Sequence, residues 1–338
     1  MVIYIHIPFC IRKCYYCDFL SGPSDKETID KYVKALINEI EYHGEKYGRK
    51  GVDNPVSSIF FGGGTPSILD GIYIEEIMNK LKDSFEIEEN AEITIECNPG
   101  TANEEKLKKY KEIGINRISI GLQSANDEEL KSIGRIHTYK EFLEVYNTAR
   151  RVGFDNINID LMSALPNQTL DSYKDTLCKV IGLEPEHISA YSLILEEGTC
   201  LYETIENLER EGKNTGLPDE DTERNMYYET KRILEESGYY RYEISNYAKK
   251  GYECGHNVAY WKRKDYIGMG IGAASCMDGV RMKNISDIQE YIQIEEMPSS
   301  CEEKSETEVL TKEDKMAEFM FLGLRRVEGV SVEKFEEE

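Results

Sequence analysis

The feature that most restricts the fold of this 338-residue chain is a regular alternation of short β-rich runs with amphipathic helical runs through its first two-thirds. The pattern predicts strands at Val2–Ile7, Ser58–Phe61, Glu92–Glu96, Arg117–Gly121, Asn156–Met162 and His187–Leu193. Between them it predicts helices near Glu27–Tyr42, Tyr73–Leu81, Glu104–Ile113, Asp127–Ile133, Tyr139–Val152 and Thr169–Ile181. The first helix is the clearest, because Ile29, Tyr32, Val33, Leu36, Ile37 and Ile40 share one face at helical spacing. Asn103 and Thr138 suit N-caps, and Gly114, Gly134 and Gly153 suit C-caps. Strict alternation calls for an α/β fold with a parallel sheet and right-handed crossovers. Six units fall short of the eight that close a standard barrel, which leaves a doubly wound sheet or an open, partial barrel.

Polar or special residues gather where each strand should finish: Gly62, Gly63, Gly64 and Thr65; Glu96; Gln123 and Ser124; Asp160; Tyr191 and Ser192. In barrels such positions converge on one mouth, where chemistry is done. After Gly198 the pattern changes. Asp219–Ser237 reads as a long helix, Tyr239–Tyr247 as an aromatic strand, and Arg281–Lys312 as a polar connector with some helix. That connector carries the acidic cluster Glu302–Glu308, and a further helix is expected over Lys315–Arg326. The net charge of −23 repels phosphate backbones and anionic headgroups, so nucleic acid is not an expected partner. With no apolar run of about eighteen residues and no signal-peptide pattern at the N-terminus, a cytoplasmic location is expected.

Nine cysteines, an odd number, argue against a disulfide framework. Cys10, Cys14 and Cys17 fall within eight residues, directly after the first strand. Three thiolates on one short loop can each hold one iron of a cubane, leaving a fourth iron without a protein ligand. Structural zinc is the rival reading, with His6 as the near fourth ligand. The other six cysteines read as small buried hydrophobes or inert thiols.

The segment YIHIPFCIRKCYYCDF resembles the signature of the radical S-adenosylmethionine family, in particular the oxygen-independent coproporphyrinogen III oxidase group. FGGGTPS at 61–67, ECNPG at 96–100, RISIGLQS at 117–124, GRIHT at 134–138 and NIDLMSALPNQT at 158–169 extend the resemblance in order. It implies a partial (β/α)6 barrel over residues 1–232 and a smaller α+β or helical domain over 233–338 that would continue beyond Glu338. It also implies a [4Fe–4S] cluster on Cys10, Cys14 and Cys17. S-adenosylmethionine contacts are implied at Tyr4, Tyr16, Gly63, Gly64, Thr65, Glu96, Gln123, Arg135 and Asp160. The isoleucine before the glycine of GRIHT, Ile133, is a mild departure that keeps the arginine.

Within the group two features favour a heme-chaperone branch over the decarboxylating oxidase. Nine residues precede Cys10, whereas the oxidase carries a substantial extension there. His256-Asn257-Val258-Ala259-Tyr260-Trp261 is similar to the HNxxYW motif of the chaperones. By that resemblance His256 would ligate heme, Tyr260 and Trp261 could stack on it, and the partners would be heme, an electron donor and a heme-acceptor protein, membrane-associated or respiratory. The bland alternative makes His256 a local cap in a Gly-rich loop with ordinary core aromatics beside it. Of the remaining histidines, His43 is expected on a solvated helix surface.

Overall fold

The computed structural model describes residues 1–48, 54–293 and 306–337. Six strands, β1 (Val2–Ile7), β2 (Val56–Gly63), β3 (Ile87–Cys97), β4 (Arg117–Gln123), β5 (Ile157–Ser163) and β6 (His187–Ser192), run parallel. Each pairs with the next in chain order. A doubly wound sheet would reverse that order at a switch point. The unbroken sequence 1-2-3-4-5-6 instead puts every crossover helix on one side, as in a barrel, and settles the choice left open above.

Those crossovers are α1 (Lys26–Tyr47), α2 (Gly71–Ser84), α3 (Glu104–Ile113), α4 (Asp127–Ser132), α5 (Tyr139–Val152) and α6 (Leu170–Ile181). Their ends follow local chemistry. The Asn103 and Thr138 side chains accept from backbone N–H groups in the first turns of α3 and α5, and Gly114 and Gly153 close the same helices in the left-handed conformation.

The strands alternate strictly. Ile3, Ile5, Ile59, Phe61, Ile93, Ile95, Ile118, Ile120, Ile157, Ile159 and Ile188 are buried in the core between the sheet and its helices. The residues between them, among them Tyr4, His6, Glu96, Arg117, Ser119, Asn158, Asp160 and Ser189, line an internal cavity. Ordinary barrels fill that space with layers of branched aliphatic side chains. This one does not, so its interior is hollow and polar.

The remainder of the chain extends the same sheet at both edges. Beyond β6 come α7 (Cys200–Arg210) and α8 (Glu220–Glu236), the latter capped by Asp219. The aromatic run read as one strand is two, β7 (Tyr240–Arg241) and β8 (Asn246–Ala248), paired antiparallel, with β8 against β6. The residues between are needed for the reversal. A short helix, α9 (Gly255–Trp261), leads to β9 (Tyr266–Met269), which lies parallel to β1 at the opposite edge. Strands β10 (Ala274–Met277), β11 (Val280–Lys283) and β12 (Glu306–Val309) follow it antiparallel.

The expected polar connector is therefore partly strand. The hairpin of β10 and β11 that leads into it turns at Asp278 and Gly279, both at positive φ. Of the acidic cluster, Glu306 and Glu308 lie on β12, and Glu302 and Glu303 lie outside the described residues. A helix, Lys312–Gly323, begins three residues before the expected one, at a Thr311 capping box.

His43 is a correction. It is buried, 3.8 Å from Glu39 and stacked on Tyr47. Glu39 accepts from Gly270 N, Asn284 Nδ2 and Tyr291 Oη at 2.5–2.8 Å, so this face of α1 is covered by the C-terminal strands rather than by water. Among the described residues no helix is long and apolar enough to cross a membrane.

Candidate functional site

The loop after β1 is held in place by backbone bonds. Cys10 N–H donates to Gly22 O, and Gly64 and Thr65 N–H donate to Ile7 O and Phe9 O at 2.8 Å. The Gly-rich turn ending β2 is thereby laid directly against the cysteine loop. A Cβ on Gly64 would stand 2.7 Å from Phe9 O and 3.0 Å from Cys10 Sγ, so glycine is required for this approach. Gly63, at φ +112°, leaves room for the His6 ring in the same way.

Cys10, Cys14 and Cys17 open into one cavity of about 310 Å³. Tyr16, Gly63, Gly64, Thr65, Glu96, Gln123, Arg135 and Asp160 line the same cavity. Eight of the nine proposed S-adenosylmethionine contacts thus meet the three thiols at the C-terminal ends of the strands. Cys10 is buried, with Sγ 3.5 Å from Thr65 Oγ1, while Cys14 and Cys17 are half-buried. Arg135 reaches Cys14 Sγ at 3.6 Å and donates to Asn98 Oδ1 and Gly121 O at 2.7 Å. Among the described residues no three His, Cys, Asp or Glu side chains converge closely enough to hold a single metal ion. A cubane places its thiolates on different irons and needs no such convergence.

Two half-buried carboxylates face this cavity. Desolvation first, and the neighbouring Asp160 second, push the Glu96 carboxyl up to about 8, and its Oε2 accepts from Gly63 N–H at 3.2 Å. Burial also raises Asp160, against hydrogen bonds from Asn158 Nδ2 at 2.8 Å and Ser119 Oγ at 3.0 Å. At the end of β4 the register shifts between Gly121 and Gln123, leaving Gln123 at φ +65° with its buried Oε1 unpaired. A non-glycine residue held there stores about 1–3 kcal/mol, a pattern concentrated at functional positions. Arg135 Nε is likewise buried without an acceptor.

Tyr4 and His256 stand elsewhere. They line a second, inner cavity of about 640 Å³ that shares Glu96, Ser119, Asp160, Asp18 and Phe19 with the first. Tyr4 Oη lies 3.1 Å from His6 Nδ1, well inside the barrel rather than at the thiols. His256 belongs to the helix α9, not to a loop. Glu92 of β3 caps that helix, accepting from Gly255 N and His256 N at 3.0 and 3.1 Å.

The His256 ring stacks on Phe60 and meets Tyr260 edge-on, with Nδ1 2.9 Å from Ser58 Oγ. Its Nε2 is buried and unpaired. Burial, then Arg117, lowers this imidazole to about 3, so it is neutral. Tyr260 also lines the cavity. Trp261 does not share it: its ring lies under the Arg325 guanidinium, 4.4 Å away, packed toward the C-terminal helices.

Several site residues escaped the sequence reading. Asn98 ties Thr65 to Arg135, donating to Thr65 Oγ1 at 2.7 Å. Ser119, Arg117, Asn158 and Ser189 all face the hollow interior. The period-2 alternation of RISIGLQ, NINIDLM and HISAYS was the available signal, since a packed barrel would not keep every second strand residue polar. Of the scattered cysteines, Cys97 and Cys254 are buried thiols pushed up to about 11 and about 12 by burial. Cys178 and Cys200 are exposed, and Cys301 lies outside the described residues.

Residues 4–178 match the radical SAM superfamily, and residues 310–338 match the HemN C-terminal domain. The heme chaperone HemW of Lactococcus lactis is 38% identical over 334 residues, covering 98% of this chain and 83% of that protein. HemW of Bacillus subtilis is 38% identical over 338 residues, covering 99% and 86%. Among solved structures, the coproporphyrinogen III oxidase HemN of Escherichia coli superposes with a TM-score of 0.83 at 26% identity, over 99% of this chain and 78% of that one.

Proposed function

Since this chain belongs to the radical SAM superfamily and, within it, to the HemW heme chaperones, we propose that it binds heme in the inner cavity and passes it to an acceptor protein. In this reading a [4Fe–4S] cluster and S-adenosylmethionine occupy the cavity at the thiols. The observation that carries the reading is His256: a buried, neutral imidazole whose free Nε2 borders a 640 Å³ cavity adjoining the three thiols. With its proton on Nδ1 donated to Ser58, the ring keeps an Nε2 lone pair for iron.

Fit to the resident groups rests on the donors present. Cys10, Cys14 and Cys17 would hold the cluster, and the Gly64 turn leaves room beside Cys10. Gln123 Oε1 and Arg135 Nε each lack a partner that a polar ligand would supply. Glu96 and Asp160 would face its cationic and hydroxyl groups, with Tyr16, Gly63 and Thr65 shaping the walls and Tyr4 contributing from the inner side. When bound, the cluster and S-adenosylmethionine supply one-electron chemistry. The protein orients them and keeps water from them.

The test is anaerobic reconstitution with iron and sulfide, followed by heme titration of the wild type and of His256→Ala. Tight heme binding lost in the variant, with iron and sulfide content unchanged, supports the reading. A parallel incubation with reductant, S-adenosylmethionine and coproporphyrinogen III that yields protoporphyrinogen IX would establish the oxidase activity instead.

A further inference from the structure

One cation inside the barrel is unused by anything described so far. Arg117, the first residue of β4, is 2% exposed and lines the inner cavity with His256, yet its Nε has no hydrogen-bond partner. The nearby carboxylates do not supply one. Glu92 is engaged by Gly255 N, His256 N and Cys254 Sγ, and Asp160 by Ser119 and Asn158. They balance the guanidinium charge at a distance without occupying its fork. A buried guanidinium loses several kcal/mol of hydration and is held most stably when its donors are paired. A guanidinium Nε without a partner beside an imidazole Nε2 without one describes a site built for a ligand with a carboxylate at one end.

We propose that Arg117 binds a carboxylate of the inner-cavity ligand, a propionate arm of the porphyrin, and so sets which tetrapyrroles the cavity accepts. This rests on the heme reading above and extends it from the iron to the periphery of the macrocycle. His256 would fix the centre of the ligand, and Arg117 would fix its edge. Two anchors at different points also define the ring's orientation, which one axial bond does not.

The experiment compares heme with heme dimethyl ester, whose propionates are masked, on the reconstituted wild type, Arg117→Met and Arg117→Lys. Wild type should bind heme roughly 10- to 100-fold more tightly than the ester, the range expected for a charge-assisted hydrogen bond. Arg117→Met should bind both at the ester's affinity, and Arg117→Lys should restore part of the difference. Cluster content and thermal midpoint report folding, and the wild-type comparison stands even if a variant fails to fold. Equal binding of heme and ester by the wild type overturns the proposal. So does a loss in Arg117→Met confined to S-adenosylmethionine, which would assign the carboxylate to that ligand. Absence of binding by both porphyrins to the wild type removes the heme reading itself, and this inference with it.

Discussion

Glu96→Gln should flatten the pH dependence of folding stability in the protein before reconstitution. The Glu96 carboxyl is withdrawn from bulk solvent in the cavity wall, and its folded value of about 8 lies above its ordinary 4.5. The folded state therefore holds this proton where the unfolded chain has released it. Stability from this group is full below about 4.5, is lost as pH rises toward about 8, and levels off above that. At about 1.36 kcal/mol per pH unit, the loss between 4.5 and 7 is roughly 3 kcal/mol in order of magnitude. That corresponds to roughly 5–10 °C in thermal midpoint for a chain of this size. Glutamine keeps the shape and an oxygen for Gly63 N–H but has no proton to lose. Thermal unfolding of both proteins from pH 5 to 9 should show the wild type losing ground to the variant between pH 5 and 8, with a constant gap above. Parallel profiles would refute the assignment of a raised carboxyl at Glu96. S-adenosylmethionine, which carries two cationic centres, should shrink the gap on binding.

Cys14→Ser should abolish the cluster, read as loss of iron, sulfide and the visible absorption near about 400 nm expected of sulfur-to-iron transitions. Full retention would mean the ligand set is wrong. Gly64→Ala should force Cys10 or the Phe9 carbonyl to move and lower cluster occupancy without unfolding the chain, checked by iron content against far-ultraviolet circular dichroism. His256→Gln should act in the opposite pH direction from Glu96→Gln. The folded imidazole is lowered from 6.5 to about 3, so the wild type loses stability as pH falls through that window and the variant does not. Chemical denaturation at pH 4 and pH 7 reads the difference directly.

The parallel core was legible because its signals are local. Apolar spacing in α1, cap residues at Asn103 and Thr138, and β runs of four to seven residues state their own structure, and eleven of the thirteen candidate residues, six of them from the strand-end clusters, line one cavity. The rest depends on contacts distant in sequence. Nothing near Tyr266 says that β9 will lie beside β1, some 260 residues earlier, rather than form a separate unit. His43 reads as a surface residue until the strands beyond residue 265 cover α1. Trp261 and Tyr260 are adjacent in a motif, yet a helix points them to different places, one into the cavity and one under Arg325.

The two cavities share a wall, and that wall carries titratable groups. Glu96 and Asp160 border both, Arg135 stands on one side and Arg117 on the other. From Asp160 a continuous polar chain runs through Asn158, His187 and Tyr242 to the backbone N–H of Cys254, at the start of the helix that presents His256. Such buried networks are rigid when fully satisfied, and these links are each 3.2 Å or shorter. A cationic group entering at the thiols offsets Asp160, one of the carboxylates that balance Arg117, leaving the guanidinium more positive toward an anion in the inner cavity. The chemistry of the shared wall thus favours both cavities being filled together, the outer by a cation and the inner by a carboxylate.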